Sequence, residues 1–148
     1  MDRSQDHSLL HSLEAQASGA LLARLLAIAD DAVIVADADH RIVLFNEGAE
    51  RTFGYSATEM IGRPLALLLP EPQRARHDLL MQEFAQSSRA ARRMGERREI
   101  HGRRADGSLF AAEASISHLE IEGRTVFTAI VRDVTEQRRA EQALRASE

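Results

Sequence analysis

Apolar residues at helical spacing mark the N-terminal segment. Within the first 29 residues, leucine, alanine and isoleucine recur at steps of three and four, which is the spacing of one helix face. Gly19 interrupts this stripe, so we expect either a bend or two helical pieces, of which the second leads into the domain. The residues of the stripe are Leu10, Leu13, Ala17, Ala20, Leu21, Leu25 and Ile28.

Two short runs rich in β-branched residues follow. Residues 32–36 (AVIVA) and 41–45 (RIVLF) are separated by a short polar stretch, a pattern that is typical of a β-hairpin. After Asn46, helix-forming residues run up to Gly54, where glycine favours a helix end. The pattern therefore predicts strand, strand and a short helix in this order.

The middle of the chain predicts further helices. Ser56 and Glu59 have the spacing of a capping box at the start of a short helix. Helix-forming residues then dominate 73–86, which predicts a longer helix, whereas the arginine-rich stretch 87–93 is expected to be a loop. The side chains predicted to share one face of the longer helix are His77, Leu80 and Phe84.

Three strand patterns occupy most of the remaining chain. They cover 96–104, 108–120 and 125–133, with turn sequences containing glycine between them. Together with the hairpin they predict an α+β domain with a sheet of about five strands and helices on one face. In the second of the three strands, apolar and small residues alternate with the others, and this strip leaves room for a ligand or a closely packed helix. The strip consists of Phe110, Ala112, Ala114 and Ile116.

A last helix is predicted from Thr135 onwards. Asp133 or Thr135 caps it, and a thin apolar seam ends at Leu144. We therefore divide the chain into an N-terminal amphipathic helix at 1–24, a folded domain at 25–134 and the start of a linker helix at 135–148.

Composition removes several classes of function. The 19 basic and 23 acidic residues give a net charge of -4, so we expect neither nucleic acid nor a membrane surface as a partner. All basic residues are arginine, and there is no cysteine, which excludes lysine-dependent and thiolate chemistry. No catalytic constellation appears at motif spacing, so we expect no enzyme activity in this chain. With no secretory or membrane-spanning pattern, the expected location is the cytoplasm.

Several short motifs together resemble the PAS family over about residues 25–135. The resemblance implies a five-stranded antiparallel sheet in the order 2-1-5-4-3, with a pocket between sheet and small helices. It also implies a sensor or dimerisation module whose flanking helices pass a signal to an output such as a histidine kinase or a cyclic-di-GMP enzyme. The motif residues are Asn46, Gly54, Tyr55, Gly62, Asp106, Gly107, Asp133, Val134 and Thr135.

The segment 69–78 (LPEPQRARHD) is similar to that of haem-based oxygen sensors within the family. The similarity implies His77 as the proximal haem ligand, bound to the iron, and Arg98 as a donor to bound oxygen. Leu80, Ala114 and Ile116 would line the same pocket. The cofactor itself stays unknown, and the alternatives are haem b, a flavin or small metabolite, and no cofactor.

Two main hypotheses remain, and a flavin or small-metabolite pocket beside Ala112 and Ala114 is a third possibility, for which no residue selects a ligand. In the first, the chain is a non-catalytic PAS module that forms a homodimer and is covalently linked to an output domain. In the second, it is a haem-based gas sensor. The residues expected to serve dimerisation and signal relay are Leu10, Leu13, Ala17, Asp133, Thr135 and Leu144.

Overall fold

The computed structural model of the chain describes residues 19–21, 24–25, 30–86, 91–94 and 100–147. Residues 19–21 and 24–25 are helical. The predictions for Leu10, Leu13, Ala17 and Arg98 lie outside the described residues.

The described residues form an antiparallel sheet with several helices. The strands are β1 (Ala32–Ala36), β2 (Ile42–Phe45), β3 (Ala91–Met94), β4 (Ile100–Arg103), β5 (Leu109–Ile121) and β6 (Arg124–Asp133). The helices are α1 (Glu47–Phe53), α2 (Ala57–Met60), α3 (Arg74–Gln86) and α4 (Thr135–Ser147), with 3₁₀ turns at Leu65–Leu68 and Glu71–Gln73. The order of elements thus follows the α+β pattern that the sequence predicts.

The sheet has five strand positions. Its order is β2-β1-β6-β5, and the last position beside β5 is shared by β3 and β4. Residues 91–94 pair with 114–117 of β5, and residues 100–103 pair with 109–112. When β3 and β4 are counted as one edge strand, this is the order 2-1-5-4-3, so the predicted fold is confirmed.

One boundary differs from the prediction. Residues 87–93 were expected to form a loop, but residues 91–94 form β3. Their sequence, ARRM, lacks the alternation of apolar and polar residues that predicts a strand. The 13-residue β5 explains the difference, because its edge extends past β4 and supplies backbone partners for a further segment.

The core lies between the inner face of the sheet and the helices. In β1 the side chains of Ala32, Ile34 and Ala36 are buried, as the alternation predicts. The larger of two core clusters joins β1 and β5 to α1 and contains Phe53 and Phe110, whose rings meet edge to face at 5.4 Å. This cluster positions α1 against the sheet.

The second cluster lies under α3 and consists of Ala36, Met81, Phe84 and Phe127. Here the structure corrects the predicted helix face. Leu80 is 40% exposed, and α3 instead buries Met81 and Phe84. Residues 77, 81 and 84 are four and three positions apart, so they define the stripe that faces the sheet, and Leu80 lies at its margin.

Candidate functional site

The side chain of Arg104 joins three elements at the end of the sheet. Its Nη1 donates a 2.6 Å hydrogen bond to the backbone carbonyl of Thr52, near the end of α1. Its Nη2 donates to Oδ2 of Asp133, the last residue of β6, also at 2.6 Å. The guanidinium lies 4.3 Å from the ring centroid of Phe110 on β5. One side chain therefore connects α1, β5 and the entry to α4.

The turn that follows β4 holds Arg104 in place. The backbone N–H of Arg104 donates to the carbonyl of Ser108, and the carbonyl of Arg104 accepts from the N–H of Gly107, both at 2.9 Å. Gly107 has a φ of 88°, a left-handed conformation that glycine adopts without strain. Asp106 accepts from the N–H and the hydroxyl of Ser108. The motif RRADGS thus forms a rigid turn from which the arginine extends.

Asp133 also caps the last helix. Its Oδ1 accepts a 2.9 Å hydrogen bond from the N–H of Thr135, at the start of α4. Burial raises the pKa of the Asp133 carboxyl, but hydrogen bonds from Arg104 and Thr135 outweigh this effect and hold the pKa below its ordinary value. The next residue, Val134, is buried and its N–H donates to the carbonyl of Ala111. The first turn of α4 is therefore bound to the sheet through both backbone and side chains.

A cleft of ≈ 470 Å³ lies beside this junction. Its walls combine the turn after β4 with the first turns of α4. Asp133 and Thr135, two of the residues predicted to relay a signal, are among them. The lining residues are Arg104, Ser108, Leu109, Asp133, Thr135, Glu136 and Arg139.

A separate polar group lies at the other end of the domain, around α3. Nδ1 of His40, in the turn between β1 and β2, is 3.1 Å from Oδ1 of Asp78 on α3. The adjacent His77 has a buried Nδ1 without a hydrogen-bond partner. Burial lowers the pKa of His77, against an upward effect of Asp78 and with a smaller downward effect of His40. His77 is therefore a neutral imidazole at neutral pH.

This environment predicts a pH dependence of stability. Above the ordinary histidine pKa of 6.5, His77 is neutral in both the folded and unfolded states and adds no pH dependence. Below 6.5 the unfolded state binds a proton that the folded state binds more weakly, so the free energy of unfolding falls. Urea unfolding followed from pH 7.5 to 5 should show this loss, and His77→Gln should make it smaller. Parallel profiles for the two proteins would contradict the assignment.

The residues of the predicted ligand pocket are only partly brought together. Ala114 is buried on the inner face of β5, and Ile116 is half-buried against the second core cluster. Leu80 lies at the exposed margin of α3. His77 offers a buried ring nitrogen without a hydrogen-bond partner, the kind of donor that haem iron needs. The chemistry of this donor therefore fits haem.

Other kinds of site are not found in the described ranges. Among residues 19–21, 24–25, 30–86, 91–94 and 100–147, no group of three or more histidine, aspartate or glutamate side chains is placed to hold a metal ion. In that same part of the chain, no helix has the length and apolar character needed to cross a membrane.

The key junction residue was missed by reasoning from the sequence. Asp133 and Thr135 were singled out as relay residues, but Arg104, the partner of Asp133, was included only as the last residue of the strand pattern 96–104. The one local signal is its place two residues before Asp106-Gly107, where a tight turn holds a side chain rigidly. Leu144, also predicted for relay, is 64% exposed on α4.

Comparison with known proteins agrees with this architecture. A family model described as PAS domain matches residues 30–136. The chain belongs to the PAS domain family, as its motifs predict. A solved PAS domain of an HTR-like protein from Haloarcula marismortui superposes with a TM-score of 0.63, at 25% identity, covering 88% of this chain and 99% of that one.

Three curated relatives are named as sensors or kinases. The sensor protein FixL of Bradyrhizobium diazoefficiens is 37% identical over 137 residues, covering 88% of this chain and 27% of FixL. The oxygen sensor protein DosP of Escherichia coli is 30% identical, covering 70% of this chain and 13% of DosP. The cell-division control histidine kinase PdhS of Brucella ovis is 31% identical, covering 83% of this chain and 12% of PdhS. The chain thus spans about a quarter or less of each relative.

Proposed function

We propose that this chain is the sensory and dimerisation module of a larger bacterial signalling protein, and that it relays a signal through α4. The output domain would be a histidine kinase or a cyclic-di-GMP enzyme, covalently linked beyond α4, and catalysis would reside there. The relatives support this proposal, since two are named as sensors and one as a histidine kinase. The observation that carries the relay is the pair of 2.6 Å hydrogen bonds made by Arg104.

These bonds give the relay a physical route. Thr52 belongs to α1, whose Phe53 packs in the larger core cluster, so a rearrangement of that core shifts the carbonyl that Arg104 binds. The same guanidinium holds Asp133, which caps α4. A change in the core therefore alters the first turn of α4, and helix termini that switch between two packings are a common way of transmitting signals.

The outer face of the sheet supports a homodimer as part of the proposal. Leu119 and Ile121 of β5 and Ile130 of β6 are all between 44% and 52% exposed, although they are large apolar residues. The alternation that buries Phe127 and Ala114 directs these side chains to the face without helices. A second copy of the chain that covers this face would remove these side chains from water. We place this dimer in the cytoplasm.

Distance measurements between spin labels test the relay. The chain has no native cysteine, so Thr58→Cys on α2 and Gln142→Cys on α4 label it specifically, and both positions are exposed. Labelled protein is diluted into unlabelled protein, so that only distances within one chain are seen. Arg104→Gln should roughly double the width of the distance distribution, because α4 loses its anchor to α1.

A neighbouring arginine provides the matched control. Arg103 belongs to β4, next to Arg104, and Arg103→Gln removes an equal charge without touching the bonds to Thr52 and Asp133. It should leave the distribution unchanged. Equal widths for the parent and Arg104→Gln would refute the relay.

A haem-based gas sensor is the second candidate, and the buried, unpartnered Nδ1 of His77 favours it. Haem b would bind through this imidazole and would supply the gas-binding iron. Protein purified with haem supplied should then show a strong absorption band in the violet, and His77→Ala should abolish it. A colourless, folded protein would rule out this candidate and leave the proposed PAS module without haem.

A further inference from the structure

Two adjacent residues at the end of β6 bind different parts of the molecule. Asp133 binds Arg104, as described above. Its neighbour Arg132 points to the other face of the sheet, because successive side chains alternate. Nε and Nη2 of Arg132 donate to the two carboxylate oxygens of Asp31, each at 3.3 Å. Asp31 immediately precedes β1, so this contact joins the entry of the domain to the strand that leads into α4.

The entry is held by a second set of contacts. The backbone carbonyl of Asp31 accepts a 3.2 Å hydrogen bond from Nδ2 of Asn46, whose Oδ1 caps α1. On α1, a guanidinium nitrogen of Arg51 lies 4.0 Å from the carboxylate of Asp30. The residue after Arg51 is Thr52, which binds Arg104. The entry, α1 and the end of β6 are therefore linked in a closed ring of polar contacts.

We propose that the Asp31–Arg132 pair couples the segment preceding Asp30 to α4, so that the domain also relays displacements arriving from its N-terminal side. This inference rests on the proposed function, in which α4 carries the output. Its route is distinct from the one through the core, because Arg132 reaches the strand end without involving Phe53 or Phe110. The domain would then combine a signal from the N-terminal segment with a signal from its own core at two adjacent residues, Arg132 and Asp133.

The pair acts through geometry and contributes little to stability. The side chain of Arg132 is 62% exposed and that of Asp31 is 34% exposed, and ion pairs in water add little to the free energy of folding. A two-point contact between guanidinium and carboxylate nevertheless fixes their relative orientation. A test should therefore measure the position of the N-terminal segment relative to α4.

Spin labels at Arg24→Cys and Gln142→Cys report this position. Both residues are exposed, and both lie in helical segments. Arg132→Gln and Asp31→Asn should each roughly double the width of the distance distribution, and the double variant should broaden it no further, because both changes remove the same contact. Arg124→Gln, at the other end of β6, is the matched control and should have no effect. Unchanged widths in the two single variants, or broadening that adds in the double variant, would overturn the coupling.

A second label pair separates this inference from the proposed function. With labels at Thr58→Cys and Gln142→Cys, Arg132→Gln should leave the distribution unchanged, because Arg104 and Asp133 still anchor α4. Broadening there would show that Arg132 only supports the docking of α4, which contradicts a separate route. If Arg104→Gln has no effect on this pair, the proposed function fails, whatever the behaviour of Arg132.

Discussion

Gly102→Ala is expected to lower the free energy of unfolding by about 2–3 kcal/mol, the cost of overfilling a packed core. Gly102 of β4 is paired with Phe110 of β5, and the aromatic ring lies across the glycine. A methyl group at position 102 would come within 2.6 Å of Cε1 of this ring and closer still to Cζ. The ring is 2% exposed and contacts both Phe53 and Arg104, so it has no free space to move into.

Urea unfolding measures this effect, and two further variants identify its cause. Gly19→Ala is the control, because nothing lies within 4 Å of the added methyl group and the residue is helical, so stability should be unchanged or slightly higher. Phe110→Leu, combined with Gly102→Ala, should be less destabilising than the sum of the two single changes, because the smaller side chain relieves the clash. A Gly102→Ala protein as stable as the parent would contradict the packing described for this strand pair.

Asn46→Ala is expected to cost about 2–4 kcal/mol, since it leaves one buried and one partly buried backbone donor without an acceptor. Asn46 is 8% exposed, and its Oδ1 accepts from the N–H of Val33 in β1 and of Ala49 in α1, each at 2.8 Å. Its Nδ2 donates to the carbonyl of Asp31. One amide therefore joins the first strand to the first helix, and alanine replaces none of these bonds.

The exposed cap of α2 is the comparison. Ser56 caps α2 in an exposed capping box with Glu59, so Ser56→Ala should cost only about 1 kcal/mol, because water satisfies the freed donors. Asn46→Asp keeps the accepting oxygen and should be milder than Asn46→Ala. Equal losses for Ser56→Ala and Asn46→Ala in urea unfolding would show that burial of the Asn46 cap adds nothing.

Local sequence patterns predict most of this fold because they depend on near neighbours. The run Ala32–Ala36 forms β1 with the predicted bounds, and the spacing of Ser56 and Glu59 produces the capping box. The alternation in β5 buries Phe110 and Ala112 as expected. In each case the deciding interaction spans only a few residues, or the period alone defines the buried face.

The missed features depend on contacts that are distant in sequence. Arg104 acquires its role from Thr52 and Asp133, which lie 52 and 29 residues away. The strand at 91–94 forms because β5 supplies a partner, although its own sequence is typical of a loop. Leu80 was placed on the buried face, but the position of α3 on the sheet buries Met81 instead. Tertiary packing, which no local pattern contains, decides these three cases.

The central claim is that Arg104 holds the first turn of α4 to the body of the domain. Amide hydrogen exchange at Val134 tests it most directly, because this N–H donates to the carbonyl of Ala111 across the junction. In Arg104→Gln this amide should exchange about tenfold faster than in the parent, whereas in Arg103→Gln its rate should be unchanged. Equal exchange rates at Val134 in all three proteins would contradict the claim.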